Sequence, residues 1–170
     1  MKATARTVKV GDNVTVNVAL ASDVTGDVII TVDGVDYTAT VEDGVASIVI
    51  PDLPAGQYAL DVKYGGDDKY KNQSTTVTFN VNKYNVRMKV TASYNNDDDF
   101  AIISTTLSDD ATGSVSVEVN GNNYTVNVVD GSALVAISKL PAGDYPLDVV
   151  YSGDAKYKDY TVTKTLKVNK

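Results

Sequence analysis

The sequence predicts an all-β chain built as two antiparallel β-sandwiches in tandem, and three observations predict it. The stretch LPAGQYALDVKYGGDDKYK at Leu53–Lys71 returns as LPAGDYPLDVVYSGDAKYK at Leu140–Lys158, an offset of 140 − 53 = 87 residues. Apolar side chains alternate with polar ones over short runs, which is the period of a strand with one face in a core. Gly, Asn and Asp punctuate those runs every 8 to 12 residues or so, and no helical period interrupts them. A fixed offset across the whole chain marks a duplicated structural unit. It also joins Gly26 to Gly113, Gly34 to Gly121, Tyr37 to Tyr124, and Val81-Asn82-Lys83 to Val168-Asn169-Lys170. The expected domains are therefore residues 1–83 and 84–170. Met1-Lys2 aligns with Met88-Lys89, so the first strand of repeat 1 is expected to be truncated and the chain to be cut from a longer array.

In the first copy Val14, Val16, Val18 and Leu20 share a face, and Val28, Ile30 and Val32 form the next inward set. Asp33-Gly34 follows, with Asn120-Gly121 in its place in the second copy. Both dipeptides suit a two-residue hairpin turn, whose central residues need positive φ. Such a turn pairs Val32 with Val35 and sets Val35, Tyr37, Ala39 and Val41 on the same face. Asp43-Gly44 and Asp130-Gly131 make a second tight turn, after which Ala46, Ile48 and Ile50, or Ala133, Val135 and Ile137, point inward. A corner at Leu53–Gly56 leads into a strand with Tyr58, Leu60, Val62 and Tyr64 on one face, matched by Tyr145, Leu147, Val149 and Tyr151. The last strand carries Thr75, Val77, Phe79 and Val81 inward; its copy carries Val162, Lys164, Leu166 and Val168, and Lys164 breaks the apolar face.

Composition excludes much chemistry. The chain has no Cys and no His. It can therefore form neither disulfides nor thiolate metal sites, nor the triads built on a His base. A net charge of −7 with scattered Lys and Arg would repel nucleic acid and anionic membrane surfaces. No apolar run is long enough to span a bilayer, and no cofactor motif is present. Asn95-Asn96-Asp97-Asp98-Asp99 is the one dense acidic stretch, and its oxygens would suit Ca²⁺. The spacing fits no EF-hand loop, so Asp97, Asp98 and Asp99 read first as a solvated turn and second as a metal site. Gly66-Asp67 and Gly153-Asp154 read as β-turns that position Tyr70 and Tyr157.

A Lys-Asn isopeptide cross-link would need a buried Lys beside an acid; Lys164 has inward parity, but Glu118 alternates outward. Eight of the eleven Tyr are paired between the copies, leaving Tyr84, Tyr94 and Tyr160 as the candidates for contact surfaces. Asn13, Asn72 and Asn123 begin formal glycosylation triplets, weak signals in so Asn- and Thr-rich a chain.

Gly56-Gln57-Tyr58-Ala59-Leu60 and Gly143-Asp144-Tyr145-Pro146-Leu147 have the spacing of the tyrosine corner of an immunoglobulin fold, with Leu60 and Leu147 where a core Cys would stand. With Gly26, Val28, Asp43, Gly44, Leu53, Val62, Tyr64, Gly66, Asp67 and Tyr70, the pattern resembles the tandem bacterial immunoglobulin-like repeats of surface proteins. It is especially similar to those of the adhesin-like proteins of methanogenic archaea. The resemblance implies two immunoglobulin-like domains of a non-catalytic, extracellular adhesion or stalk module. Its partner would be a protein or glycan on another cell, and the chain would be a monomer within a longer repeat array. A carbohydrate- or calcium-binding module is the alternative, using Asp97–Asp99 or a Tyr-rich patch. The family's pattern is made of scaffold residues and transfers no ligand site. Between Val81 and Val86 lie Asn82, Lys83, Tyr84 and Asn85, a connection short enough to restrain the tandem, with Tyr84 expected in the seam between domains.

Overall fold

A computed structural model describes residues 1–170. Fifteen strands and no helix make up the chain, which divides into two compact units, Met1–Lys83 and Tyr84–Lys170. Unit 1 contains β1 (Lys2–Ala5), β2 (Val8–Lys9), β3 (Val14–Ala19), β4 (Asp27–Val32), β5 (Val35–Thr40), β6 (Val45–Ile50), β7 (Gly56–Tyr64) and β8 (Gln73–Asn82). They form a three-stranded sheet, β1-β3-β6, and a five-stranded sheet, β2-β8-β7-β4-β5. Unit 2 repeats the plan with β9 (Lys89–Asn95), β10 (Phe100–Thr106), β11 (Ser114–Val119), β12 (Asn122–Asn127), β13 (Ser132–Ser138), β14 (Gly143–Tyr151) and β15 (Tyr160–Val168). Its sheets are β13-β10-β9 and β12-β11-β14-β15.

The expected alternation is what closes each sandwich. Val14, Val16 and Val18 from β3 and Ala46, Ile48 and Ile50 from β6 are buried in one cluster with Val28, Ile30, Val62, Tyr64, Val77, Phe79 and Val81 of the opposite sheet. Each buried Val or Ile contributes roughly 1.5 to 3 kcal/mol, so sheet-to-sheet packing dominates the stability of a domain this small. Asp33-Gly34 sits at φ 49° and 81° and Asn120-Gly121 at 52° and 76°, and the pairs Val32↔Val35 and Val119↔Asn122 close the two-residue hairpins. At Asp43-Gly44 the turn does something more: Glu42 and Val45 bond each other's backbones, yet the strands on either side belong to different sheets. The chain crosses the core edge there. A Cβ on Gly44 would stand 2.7 Å from the Ala21 carbonyl oxygen, and one on Gly131 would stand 2.7 Å from that of Ser108.

One expectation is corrected and another, the antiparallel pairing, gains an addition. Val35 shares a face with Val32 but is 54% exposed, because β5 is the free edge of its sheet and no residue along it is fully buried. The pairing is also not wholly antiparallel, since β2 joins β8 in parallel through Val8↔Val81 and Lys9↔Asn82. The cause is a break of parity. Ala3 and Ala5 turn inward, Arg6 and Thr7 are both exposed, and Val8 and Val10 turn inward again on the opposite parity. One residue of slip sends a strand's apolar set to the other face, so the chain leaves β3 and continues on the other sheet. Val10 completes the switch by donating its N–H to the Asn82 carbonyl at 3.0 Å. An open groove of about 500 Å³, lined among others by Ala5, Arg6, Val8, Asn13 and Thr15, marks where β1 departs. In unit 2 Val90, Ala92 and Tyr94 keep one parity, and β9 stays paired with β10 through Asn95↔Phe100. Without a counterpart of β2, β15 remains an edge strand.

Candidate functional site

The most elaborate polar constellation in each unit is built around the Asp of the Gly-Asp loop. Asp67 follows β7, and its Oδ1 accepts the backbone N–H groups of Lys69 at 2.9 Å and Tyr70 at 2.6 Å. Its Oδ2 accepts the Thr25 N–H at 2.9 Å and the Thr25 hydroxyl at 3.2 Å, tying the loop to the segment that leads into β4. Asp154 repeats every one of these bonds, with Lys156 N at 2.8 Å, Tyr157 N at 2.6 Å, Thr112 N at 2.8 Å and the Thr112 hydroxyl at 3.2 Å. Around this carboxylate the loop folds back. The Tyr70 hydroxyl donates to Asp23 at 2.7 Å and the Lys69 ammonium pairs with the same carboxylate; Tyr157 donates to Asp110 at 2.7 Å, and Lys156 pairs with Asp110. The copies differ at the tyrosine that ends β7 or β14. Tyr64 donates to the Thr25 carbonyl at 2.7 Å, whereas Tyr151 donates to Asp154 itself at 2.9 Å.

These contacts fix the charges. Burial opposes ionisation of Asp154 more than any single contact favours it, but the N–H groups of Thr112, Tyr157 and Lys156 with the Tyr151 hydroxyl together bring its pKa down to about 2. Asp67 is held below the usual carboxylate range, first by the Thr25 N–H and then by that of Tyr70. Asp110 is lowered by Lys156 and then Tyr157, while Lys156 is raised by Asp110. Acid–base work at neutral pH asks for shifts toward neutrality. Here both partners move away from it, as in a structural tie. Sequence reading placed Asp67 and Asp154 in turns but missed Asp23, Thr25, Asp110 and Thr112, although Asp23-x-Thr25-Gly26 recurs as Asp110-x-Thr112-Gly113 at the same offset.

The corner tyrosines stand at the opposite end of β7 and β14 from these loops. The Tyr58 hydroxyl donates to the Pro54 carbonyl at 2.6 Å and that of Tyr145 to Pro141 at 2.8 Å. The Tyr58 ring stacks on Phe79 with centroids 5.2 Å apart, where unit 2 offers Leu166 to Tyr145. Burial, and then the charge of Asp33, raises the Tyr58 pKa.

Of the unpaired tyrosines, Tyr84 is half-buried against the core of unit 2 and forms a parallel bridge with Tyr157. Tyr94 donates its hydroxyl to Asp99, over which Lys170 also closes, and its ring lies 5.6 Å from the Lys170 ammonium. Tyr160 is 51% exposed.

The acidic stretch forms the turn between β9 and β10. Asn95 donates to Asp98 at 2.7 Å, its own side-chain oxygen accepts the Asp97 N–H at 3.0 Å, and Lys170 then Tyr94 lower the pKa of Asp99. Asp97, Asp98 and Asp99 do not converge on one point, and no three carboxylates in the chain stand as a cation cage. Lys164 and Glu118 are both exposed, so the buried environment an isopeptide bond needs is not assembled around them. Asn13, Asn72 and Asn123 are exposed as well.

Comparison with known proteins places this geometry. The family model of the bacterial Ig-like domain (group 3) matches residues 1–82. Unit 1 therefore belongs to the bacterial Ig-like domains, and unit 2 repeats its strand plan. Among solved structures the chain is similar to the adhesin InvE of Yersinia pseudotuberculosis at 16% identity and a TM-score of 0.48, covering 98% of this chain and 58% of that one. It is also similar to a bacterial ice-binding adhesin of 1.5 MDa, at 18% identity and a TM-score of 0.40 over 98% of this chain and 63% of the other. The fibronectin(III)-like modules of Clostridium thermocellum CbhA match at 15% identity and a TM-score of 0.38, over 98% and 90%. The chain spans less than two thirds of the first two of these. No curated protein matches the sequence.

Proposed function

We propose that the chain is a non-catalytic module of the extracellular cell surface, two repeats of an adhesin-like stalk that carries or contributes to a cell-adhesive surface. One observation bears most of the weight. The most elaborate polar groups repeated at the 87-residue offset, around Asp67, Asp154, Thr25, Thr112, Tyr58 and Tyr145, are engaged in ties within their own unit. What the duplication keeps at these positions is anchors that hold the fold. Membership of unit 1 in the bacterial Ig-like domains supports the same reading, and the Gly-x-Val, Leu-x-x-Gly-x-Tyr and Gly-Asp-x-x-Tyr pattern supports an origin among the adhesin-like repeats of methanogenic archaea. A surface protein or a glycan of another cell is the partner of such a module, and the module itself is monomeric. Tyr84 lies where the two units meet in sequence and packs against unit 2.

The test is a screen of the labelled tandem against cell surfaces and immobilised glycans, with Ca²⁺ and with EDTA. Retention that ignores the metal supports an adhesive module. Retention that requires Ca²⁺ and disappears when Asp97, Asp98 and Asp99 are changed to Asn would transfer the function to the acidic turn. Absence of retention on every surface would remove adhesion and leave display alone.

A further inference from the structure

In unit 2 the segment Tyr84–Arg87, which leads into β9, is bound by the very loop that the Asp154 tie holds rigid. Tyr84 N–H donates to the Lys156 carbonyl at 2.8 Å, and Lys158 N–H donates to the Tyr84 carbonyl at 2.9 Å, the two bonds of a short parallel strand addition. The Tyr84 ring lies 6.5 Å from that of Tyr157, tilted by 58°, and the Lys156 ammonium stands 5.7 Å and 5.2 Å from the two rings. Under this cover Tyr157 is only 8% exposed.

Unit 1 has the same acceptor surface. Lys69-Tyr70-Lys71 repeats Lys156-Tyr157-Lys158 residue for residue, and Asp67 and Asp23 hold it with the same bonds. There the Lys69 carbonyl and the Lys71 N–H take part in no backbone bond of the chain, and Tyr70 is half-buried where Tyr157 is buried. The way in is open too. The Met1 amino group bonds the Gln73 side chain at 3.3 Å, two residues beyond Lys71, and Met1 corresponds to Met88. A segment joined ahead of Met1 would thus begin beside this surface.

We propose that the Gly-Asp-x-Lys-Tyr loop is a peptide-acceptor slot. In unit 1 it takes an extended segment of the Tyr-Asn-Val-Arg type whenever one is joined directly ahead of β1, the Tyr then standing four residues before Met1. The slot reads main chain through Lys69 O and Lys71 N, and it reads an aromatic side chain through the Tyr70 ring and the Lys69 ammonium, which already lies 5.2 Å from that ring. Pre-organisation by Asp67 removes most of the ordering cost on the acceptor side. The aromatic contact sets the specificity, since a parallel strand addition of two bonds is too short to hold by itself.

The experiment compares the full chain with two N-terminal extensions. One carries Asn-Lys-Tyr-Asn-Val-Arg, a copy of residues 82–87, and the other carries the same residues with Gly at the Tyr and Val positions. Amide exchange by NMR is read at Lys71 and Lys158 in both. The copied segment should slow exchange of the Lys71 N–H by about tenfold or more, which is ~1.4 kcal/mol of protection, while the Gly version leaves it as in the unextended chain. Tyr70 ring resonances should move with the first extension only. Unit 2 supplies the converse: Tyr84→Gly should speed Lys158 exchange by about the same factor without altering exchange within β14. Equal protection from both extensions, or none from either, would overturn the proposal. So would a Lys158 amide indifferent to Tyr84→Gly. If that variant unfolds unit 2, the Lys71 comparison decides alone.

Discussion

The two units begin alike and part after four residues. Lys2–Ala5 and Lys89–Ala92 pair with β3 and β10 in the same register, Ala5↔Val16 matching Ala92↔Ile103. Beyond that point unit 2 adds Ser93↔Ile102, Tyr94↔Ala101 and Asn95↔Phe100, whereas unit 1 abandons the sheet and lays Val8 and Lys9 along β8. The difference teaches that a strand's sheet is chosen by the parity of a few apolar side chains. Tyr94 continues the inward set of Val90 and Ala92; Thr7 does not continue that of Ala3 and Ala5, and Val8 and Val10 restart it one residue late. The backbone follows the side chains.

Where the units are the same they should break alike, and the largest effects are expected there. Gly44→Ala and Gly131→Ala each force a left-handed residue to carry a Cβ into the neighbouring carbonyl, and each should cost its own unit about 3 kcal/mol or more in chemical denaturation. If one unit tolerates the change, the two crossings between sheets are not equivalent. A core position that differs comes next. Val18 is matched by Thr105, whose hydroxyl is buried without a partner. Val18→Thr should destabilise unit 1 by about 2 kcal/mol, and Thr105→Val should stabilise unit 2 by about 1 kcal/mol. Opposite signs at aligned positions would sharpen the contrast; a neutral Thr105→Val would place a partner on that hydroxyl.

The corner bonds are common to both units, at 2.6 Å and 2.8 Å. Tyr58→Phe and Tyr145→Phe should each cost about 1 kcal/mol by urea melts, and a loss of only a tenth or two would mean that water serves the hydroxyl as well as the proline carbonyl does. Val8→Asn should then cost about 1 kcal/mol or less, because Val8 is only half-buried, while exposing the Val10 N–H to exchange as β2 lifts from β8. Unchanged Val10 exchange would show that the parity of Val8 is not what holds β2.

The gentlest probe is acid. Asp154 titrates at its ordinary 3.8 when unfolded and near 2 when folded, so the unfolded state takes up its proton first. Its contribution is complete above about pH 4 and is lost as pH falls from there to about 2. Asp67, lowered in the same direction, acts with it. Asp154→Asn should therefore weaken unit 2 at neutral pH and flatten its decline between pH 4 and 2; an unchanged acid limb would separate the tie from stability.

Much of this was legible beforehand, and the reasons are local. Parity along β3, β4, β6 and β7, and the φ demands of Asp33-Gly34 and Asp43-Gly44, are written residue by residue, so the strands, their faces and both kinds of tight turn could be read. The switch of β2 was present as the Ala5-to-Val8 slip, but a two-residue strand gives too short a period to register. The Asp ties escaped because their partners lie 42 residues apart or more in sequence, as Thr25 does from Asp67 and Thr112 from Asp154, and nothing local announces an acceptor. Periodicity reports faces, not distant partners. The exposure of Val35 was missed for a related reason: a face can be right while the facing sheet is too narrow to cover it.

The edge left open on β15 bears on how neighbours of the same strand plan avoid exchanging strands. In β7–β8 and β14–β15 the registers coincide, Leu60↔Val77 answering Leu147↔Lys164. A β15 that paired by mistake with β7 would set Lys164 beside Leu60 much as it stands beside Leu147 in its own unit, but it would leave Tyr58 without the Phe79 ring it stacks on. Loss of that stack disfavours the wrong partner during synthesis, when adjacent copies compete for the same template. The same lysine, with Lys167 on the same strand, discourages the edge from recruiting a strange strand afterwards. In a chain of repeats, then, Lys164 reads as a guard on an open edge: its value lies in the assemblies it prevents.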